Sequence, residues 1–288
     1  MEDIQPIIAR REVTARILQA FHLRADKNLG QNFLVEESVV GRIAKAAELT
    51  PEDTVLEIGP GIGTLTQALA MTGASVVSVE LDKRLIPVLQ ETVGAYKNVR
   101  IVQGDILKIN IPETVQAEPF KVCANLPYYI TTPIIMNLLE QKLPVERLVV
   151  MVQKEVAERM TASPGGREYG AISVAMQYYT EPVIAFIVKA GSFLPAPKVD
   201  SAVLVCKKRN TPPVDVPDEK TFFKVVAAAF SVRRKMLANS LKNMGGLTGE
   251  QVKAWLGRAG IDGTRRAETL SLEEFASLAR TWKAKERD

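Results

Sequence analysis

Apolar runs and helical patterns alternate along roughly the first two thirds of the chain. Short continuous apolar runs bounded by turn residues indicate strands buried in a sheet, whereas apolar residues spaced by three and four indicate helices. Strands are predicted at 54–58, 75–79, 99–103, 120–124, 148–152, 183–188 and 202–207. This alternation favours an α/β fold, with seven strands in a mostly parallel sheet.

The pattern changes on either side of this region. Residues 1–26 form a basic arm with one predicted helix, in which Val13, Ile17 and Phe21 share a face. Prolines mark residues 209–217 as a linker, and after it only helical spacing remains. We therefore predict an arm (1–26), an α/β domain (27–208), a linker (209–217) and a small all-α C-terminal domain (218–288).

The first predicted strand runs into a glycine-rich turn formed by Gly59, Gly61 and Gly63, and a helix follows. This layout is typical of nucleotide-binding units, in which the backbone approaches a ligand closely. Glu57 precedes the turn by two residues. The second strand ends at Glu80, where a carboxylate is placed to bind a ribose diol.

The next two strands also end in polar residues. Asp105 follows the third strand and could accept a hydrogen bond from an adenine amine, with Ile106 packing on the ring. The fourth strand leads into the run Asn125-Leu126-Pro127-Tyr128. Because the carboxyl ends of parallel strands meet at one edge of the sheet, a ligand site is predicted there.

The Asn125 run suits the exocyclic amine of a nucleobase. That nitrogen is a poor nucleophile because its lone pair is delocalised, and two acceptors for its N–H groups would localise the pair. The Asn125 side-chain oxygen and the carbonyl of Leu126 or Pro127 are candidates, and Tyr128 offers a face for stacking. A plain β-turn after a strand is the simpler interpretation of the run alone.

Composition limits the kinds of site and mechanism that the chain could contain. The two cysteines and single histidine disfavour a metal site and a histidine-based mechanism. No run is long and apolar enough to span a bilayer, and the N-terminus lacks the features of a secretory signal, so a cytoplasmic protein without a membrane partner is expected. No exposed apolar stripe demands a dimer, so a monomer is expected.

The charge is uneven along the chain. The stretch from Lys207 to Asp288 contains 17 Lys and Arg but only 10 Asp and Glu. This excess of positive charge suggests a polyanionic partner.

From about Lys27 onward, the sequence resembles the small-subunit ribosomal RNA adenine N6,N6-dimethyltransferase family. Besides the Asn125 run, the resemblance rests on the segments Phe193–Val203 and Phe230–Leu237. It implies a Rossmann-like class I methyltransferase domain that uses S-adenosyl-L-methionine. The implied donor-binding residues are Gln31, Asn32, Leu34, Glu57, Gly59, Gly61, Gly63, Glu80, Asp105, Ile106 and Asn125.

The resemblance also implies roles outside the donor site. Phe193 would stack on the target adenine together with Tyr128, although the residues alone fit a core anchor equally well. An RNA-binding helix would carry Arg233, Arg234 and Lys235, with Lys198 as a further RNA contact. The implied reaction is dimethylation at N6 of two adjacent adenines in 16S rRNA, with a role in ribosome biogenesis and an immature 30S-type particle as partner. Alternatives are a 23S rRNA adenine dimethyltransferase of the macrolide-resistance type, an assembly factor in which catalysis is secondary, and an NAD oxidoreductase, which the glycine spacing disfavours.

Overall fold

The structure, a computed structural model, describes residues 6–26, 29–232 and 235–285, with side chains described as far as Trp282. The strands are β1 (Phe33–Leu34), β2 (Thr54–Ile58), β3 (Ser75–Glu80), β4 (Val99–Gln103), β5 (Phe120–Asn125), β6 (Val145–Gln153), β7 (Thr180–Val188), β8 (Phe193–Leu194) and β9 (Ser201–Lys208). The helices are α1 (Arg11–Ala20), α2 (Glu37–Ala46), α3 (Thr64–Ala70), α4 (Ile86–Val93), α5 (Ile111–Val115), α6 (Thr131–Glu140), α7 (Lys154–Thr161), α8 (Ala171–Tyr179), α9 (Glu219–Ala229), α10 (Leu237–Ser240), α11 (Gly249–Ala259) and α12 (Leu272–Lys285).

Seven strands form one sheet in the order β4-β3-β2-β5-β6-β9-β7. Strands β2 to β6 pair in parallel, and β9 runs antiparallel to β6. The strands at the centre of the sheet are mostly apolar and buried, as expected where a sheet is covered on both faces. The predicted seven-stranded, mostly parallel sheet is therefore confirmed.

The sheet topology brings four strand ends together. In the order β4-β3-β2-β5, the neighbouring strands are all parallel, so their carboxyl ends lie at one edge. Asp105 and Gly59 lie just beyond β4 and β2, while Glu80 and Asn125 are the last residues of β3 and β5. A separate two-stranded sheet pairs β1 with β8 and sets Leu34 opposite Phe193.

The chain divides into two compact units, which differ from the predicted domains. The first contains the residues up to Ala157 and Val183–Lys208, and the second contains Glu158–Pro182 and the residues from Arg209 onward. The arm belongs to the first unit because residues such as Ile8, 2% exposed, are buried in its core. Residues 158–182 cluster with the C-terminal helices because the Tyr178 ring stacks on Phe222, with centroids 5.0 Å apart.

The second unit is held by buried aromatic side chains and capped helices. The Trp255 indole donates a hydrogen bond of 3.1 Å to the Leu278 carbonyl, which joins α11 to α12. A capping box opens α12: the Ser271 amide donates to the Glu274 carboxylate at 2.8 Å, and the Glu274 amide donates to the Ser271 hydroxyl at 3.2 Å. Among the described residues, no helix has the length and apolar character that a membrane span requires.

The resemblance implied an RNA-binding helix in the run Phe230–Leu237, but the residues of this run that the structure describes are helical only from Leu237. Helix α9 ends at Ala229, Phe230 caps it, and α10 begins only at Leu237. The Phe230 ring packs near Phe275, with centroids 5.7 Å apart. Lys235 is exposed outside any helix. Arg233 and Arg234 lie outside the described residues.

Candidate functional site

A pocket opens at the carboxyl ends of β2 to β5, within the first unit. Its walls come from the strand ends, the segment 29–34 and the turn after β5. Most of the residues predicted from sequence line it: Gln31, Asn32, Leu34, Gly59, Gly61, Glu80, Asp105, Ile106, Asn125, Leu126, Pro127 and Tyr128. The structure thus brings residues from four strands and one loop into a single cavity.

The glycine turn forms the floor of this pocket. Gly59 and Gly61 adopt φ values of 70° and 62°, a left-handed conformation that side chains rarely take. A Cβ atom at Gly59 would meet no atom within 4 Å, so the backbone there faces open space. A ligand can approach this part of the main chain closely.

Gly63 lies outside the pocket, unlike Gly59 and Gly61. Its φ is 91°. A Cβ atom there would lie 2.8 Å from Val93 Cγ1 and 3.0 Å from Thr92 Oγ1. Gly63 therefore allows the start of α3 to pack against α4, and the structure gives it no direct access to a ligand.

Glu80 is 6% exposed and lines the pocket. Its Oε2 accepts a hydrogen bond of 3.0 Å from the Gly61 amide, and its Oε1 accepts one of 2.8 Å from the Asp82 amide. Burial raises the pKa of Glu80, and these backbone amides act against the rise. The carboxylate is thus fixed beside the glycine turn with lone pairs remaining for a ligand.

Glu57 lies below the pocket and does not line it. It is fully buried, its Oε2 accepts a hydrogen bond of 2.6 Å from the Ser78 hydroxyl, and its Oε1 has no partner. Burial raises the pKa of Glu57 to about 7, although the Ser78 hydrogen bond opposes the rise. The structure places the Glu57 side chain away from the pocket lining, in contact with Ser78 on the neighbouring strand, so its contact with the donor stays a prediction.

The buried Glu57 should make stability depend on pH. Its pKa rises from 4.5 to about 7 on folding, so the folded protein binds more protons between these values. The contribution of Glu57 is complete below about pH 4.5 and decreases as the pH rises to about 7. We expect the stability of the native chain relative to Glu57→Gln to fall by about 2–3 kcal/mol between pH 5 and pH 8.

Urea unfolding of both proteins at several pH values measures this difference. The matched control is Glu91→Gln, which changes an exposed glutamate on α4 and should follow the native chain. Parallel pH curves for the native chain and Glu57→Gln would contradict the assignment.

Asp105 and Ile106 lie together at the end of β4. Asp105 Oδ1 accepts a hydrogen bond of 3.1 Å from the Leu107 amide, and the exposed Lys108 ammonium lies 3.2 Å from Oδ2. Ile106 is 7% exposed and presents an apolar wall. A carboxylate beside an apolar wall suits an aromatic ring that carries an amine.

Asn125 connects the strand edge to the segment 29–34. Its Nδ2 donates to the Asn32 carbonyl at 3.4 Å, so the amide lies at the pocket rather than in the core. Asn32 in turn donates to the Gly30 carbonyl at 3.0 Å. Since the Nδ2 group faces this loop, Oδ1 is the Asn125 atom left to accept hydrogen bonds from a ligand.

The turn after Asn125 has two carbonyls of different character. The Pro127 carbonyl accepts hydrogen bonds from the Ile130 amide at 3.2 Å and the Thr131 hydroxyl at 3.0 Å. The Leu126 amide donates a hydrogen bond of 3.1 Å to the Met151 carbonyl. Within the described part of the chain, no hydrogen bond to the Leu126 carbonyl is seen. The sequence left the choice between these carbonyls open, and the structure favours Leu126 as the acceptor for a ligand.

Tyr128 and Phe193 do not form the predicted pair. The Tyr128 hydroxyl lies 2.8 Å from Ser201 Oγ, and burial raises the pKa of Tyr128. Phe193 is only 1% exposed and packs in the core cluster that contains Leu34 and Met151. The structure therefore places the Phe193 ring in the core with no face open to a base, and its stacking on the target adenine stays a prediction.

Other residues of the site were not predicted. Ser201 fixes Tyr128 but carries no local signal, because it lies 73 residues away in the chain. Asp82 accepts a hydrogen bond of 2.9 Å from Gln31, and the pair of carboxylates Glu80 and Asp82 could have indicated it. Lys198, predicted to bind RNA, is exposed.

Comparison with known proteins identifies the family. The model of the family described as "Ribosomal RNA adenine dimethylase" matches residues 22–284 of the 288. The chain is 48% identical over 281 residues to Ribosomal RNA small subunit methyltransferase A of Enterococcus faecalis, covering 94% of this chain and 95% of the relative. It is 49% identical over 264 residues to the protein of the same name from Moorella thermoacetica, covering 88% and 91%.

Solved structures agree with this fold. The 23S rRNA methyltransferase ErmE superimposes with a TM-score of 0.68 at 29% identity, covering 88% of this chain and 100% of ErmE. A dimethyladenosine transferase from Plasmodium falciparum superimposes with a TM-score of 0.72 at 24% identity, covering 88% and 98%. The sheet is that of class I S-adenosylmethionine-dependent methyltransferases, as predicted. By its motifs and by these matches, the chain belongs to the ribosomal RNA adenine dimethylase family.

Proposed function

We propose that this protein transfers methyl groups from S-adenosyl-L-methionine to N6 of two adjacent adenines in 16S rRNA. The observation that carries this proposal is that Glu80, Asp105 and Asn125 line one pocket. The first two would bind the nucleoside part of the donor, and the third would bind the reacting amine. The relatives named as small-subunit methyltransferases support this substrate over 23S rRNA, because their identity to this chain, 48% and 49%, exceeds the 29% of ErmE.

The residues present fit the donor. Glu80 would accept hydrogen bonds from the ribose diol, since its oxygens are already oriented by two backbone amides. Asp105 would accept from the adenine amine and Ile106 would pack on that ring. The backbone at Gly59 leaves room for close approach. When bound, the donor supplies an electrophilic methyl group on its sulfonium.

The amine-binding residues would act on the target nitrogen. Asn125 Oδ1 and the Leu126 carbonyl would each accept one N–H, which favours a tetrahedral nitrogen whose lone pair points away from the two acceptors. Such acceptors accelerate transfer because they bind the rehybridised amine better than the planar one. Tyr128, fixed by its 2.8 Å contact with Ser201, would stack on the target base and hold it in place.

No side chain needs to remove a proton before transfer. Methylation makes the nitrogen cationic and therefore acidic, so a proton can leave afterwards to water. Glu57, the carboxyl whose pKa rises to about 7, does not line the pocket and is too deep to serve as a base. Loss of the proton regenerates a neutral secondary amine with one N–H, which one of the two acceptors can hold for the second methylation.

We further propose that the RNA is bound within an immature 30S-type particle, in the cytoplasm, by a monomer. The basic C-terminal part would contact phosphates through residues that include Arg233, Arg234 and Lys235, and the exposed Lys198 would add a contact from the first unit. Binding of this kind weakens with salt, because each phosphate contact releases counterions.

Incubation with labelled donor tests the proposal. We expect N6,N6-dimethyladenine to form in unmethylated small-subunit RNA or its particle, as measured by mass spectrometry after nuclease digestion. Large-subunit RNA is treated in parallel and should remain unlabelled. Label in the large-subunit RNA alone would overturn the assignment of substrate, and donor binding without label in either RNA would overturn the assignment of activity.

A further inference from the structure

We propose that Arg84, Asp26 and Asp82 form a tether that holds the segment 29–34 over the donor pocket and sets how long the donor stays bound. This inference rests on the function proposed above, because it assigns positioning residues to the donor site. None of the three was assigned to the site from the sequence. The tether lies wholly within the first unit.

Arg84 joins the two carboxylates. Its Nε lies 2.9 Å from Asp82 Oδ1 and its Nη2 lies 2.7 Å from Asp82 Oδ2, so the guanidinium binds Asp82 through two nitrogens. The same Nη2 donates to Asp26 Oδ2 at 3.1 Å. Bidentate pairs of this kind fix orientation as well as distance. Arg84 thus connects Asp82, two residues after β3, to Asp26, which precedes the segment 29–34 in the chain.

Gln31 connects this ionic group to the loop. Its Nε2 donates to Asp82 Oδ2 at 2.9 Å, and its Oε1 accepts from the Asp26 amide at 2.9 Å. The Gln31 amide also donates to the Asp26 carbonyl at 3.1 Å. Both ends of the Gln31 side chain are therefore held, and Gln31 lines the pocket.

The tether is continuous with the donor-binding residues. The Asp82 amide donates to Glu80 Oε1 at 2.8 Å, so Asp82 contacts the carboxylate proposed to hold the ribose. On the other side of the loop, Gly30 packs against the amine-binding turn. A Cβ atom at Gly30 would lie 3.5 Å from both Pro127 Cβ and Tyr129 Cδ1. Segment 29–34 thus reaches from the donor-binding residues to the amine-binding turn, and the tether fixes the position of this segment.

The attraction between the Arg84 guanidinium and the two carboxylates stabilises the tether. The hydrogen bonds from Arg84 hold the pKa of Asp82 below its ordinary value, although burial opposes them. The same contacts raise the pKa of Arg84. The Asp82 side chain is 6% exposed, whereas the Asp26 and Arg84 side chains are 28% and 49% exposed. The Asp26–Arg84 pair is therefore the part of the tether that salt can weaken.

Asp82 also has a local structural role, since its Oδ1 accepts a hydrogen bond of 3.0 Å from the Arg84 amide and caps a turn. A substitution of Asp82 would remove both the cap and the contact with the Arg84 guanidinium, so its effects could not be assigned to one of them. Arg84→Ala removes the guanidinium but keeps the backbone cap, and Asp26→Asn removes one charge at nearly constant size. Lys83→Ala removes a neighbouring exposed cation and is the matched control.

The test measures release of tritiated S-adenosylmethionine and S-adenosylhomocysteine from the full chain by rapid dilution and filtration. We expect Arg84→Ala and Asp26→Asn each to release both compounds about three- to tenfold faster. The double variant should release the donor no faster than the faster of the two single variants, because both substitutions remove the same contact between Arg84 and Asp26. Added salt should accelerate release from the native chain more than from Arg84→Ala, and Lys83→Ala should match the native chain.

The outcomes separate this inference from the proposed function. Two results would contradict the tether without affecting the proposed methylation of RNA. One is release at the native rate in both single variants. The other is a release rate in the double variant that equals the product of the two single-variant accelerations. Absence of donor binding in the native chain would instead overturn the proposed function. Melting temperatures without donor provide a further readout: a merely structural role would lower them in Arg84→Ala and leave the salt dependence of release unchanged.

Discussion

Replacing Asn125 by alanine is expected to reduce the turnover number for methyl transfer about 100- to 1,000-fold, the range seen when one fixed polar group is removed from an electrostatic catalytic site. The variant loses the acceptor proposed to favour a tetrahedral target nitrogen. Its affinity for the donor should change little, because the Glu80 and Asp105 carboxylates remain in place. Single-turnover methylation of small-subunit RNA measures the first effect, and equilibrium dialysis with labelled donor measures the second.

The matched control is Asn137→Ala, which removes an amide from α6 whose contact with Gln141 is exposed. This variant should methylate at the native rate. Native turnover in Asn125→Ala would remove the basis of the proposed mechanism. Parallel losses of donor binding and turnover would show that Asn125 acts by holding the donor, through its contact with the Asn32 carbonyl at 3.4 Å, and would equally contradict the role given to it here.

The second large effect is on stability. Gly63→Ala should lower the free energy of unfolding by about 2–4 kcal/mol, which combines the cost of a left-handed non-glycine residue with overpacking. The φ of Gly63 is 91°, and the added Cβ would lie 2.8 Å from Val93 Cγ1, in a fully buried side chain. Urea unfolding at one pH measures the change.

Gly41→Ala is the matched control for this experiment. Gly41 is exposed within α2, and a Cβ there would meet nothing within 4 Å. This substitution should stabilise the protein by about 0.5–1 kcal/mol, since alanine loses less backbone entropy than glycine in a helix. Equal effects of the two substitutions would mean that the packing of α3 on α4 tolerates a side chain at Gly63.

Much of the fold and the site could be predicted from local sequence patterns. Apolar runs located the strands, and the rule that parallel strands place their carboxyl ends together located the pocket. Glu80, Asp105 and Asn125 were predicted because each terminates or follows such a strand. These predictions needed no information about residues distant in the chain.

The structure departs from the expected positions where burial depth or pairing with a distant segment decides where a side chain lies. Glu57 lies within β2, two residues before Gly59, and successive residues of a strand point to opposite faces, so proximity to the turn did not imply access to it. Phe193 lies in a proline-stiffened loop, where the residues alone left a core anchor and a stacking ring equally open. It is buried because β8 pairs with β1, which sets Phe193 opposite Leu34, far away in the sequence. The basic run near Lys235 resembles a helix of the family, but α9 ends at Ala229.

The second unit is built from two separate stretches, Glu158–Pro182 and the residues from Arg209 onward. No single cleavage point can therefore release it intact. A fragment starting at Arg209 would lack α8, so Phe222 would lose the Tyr178 ring that stacks on it at 5.0 Å. Exchanging the C-terminal part between relatives would likewise require transplanting the internal stretch with it, because the buried aromatic contacts are shared by both pieces.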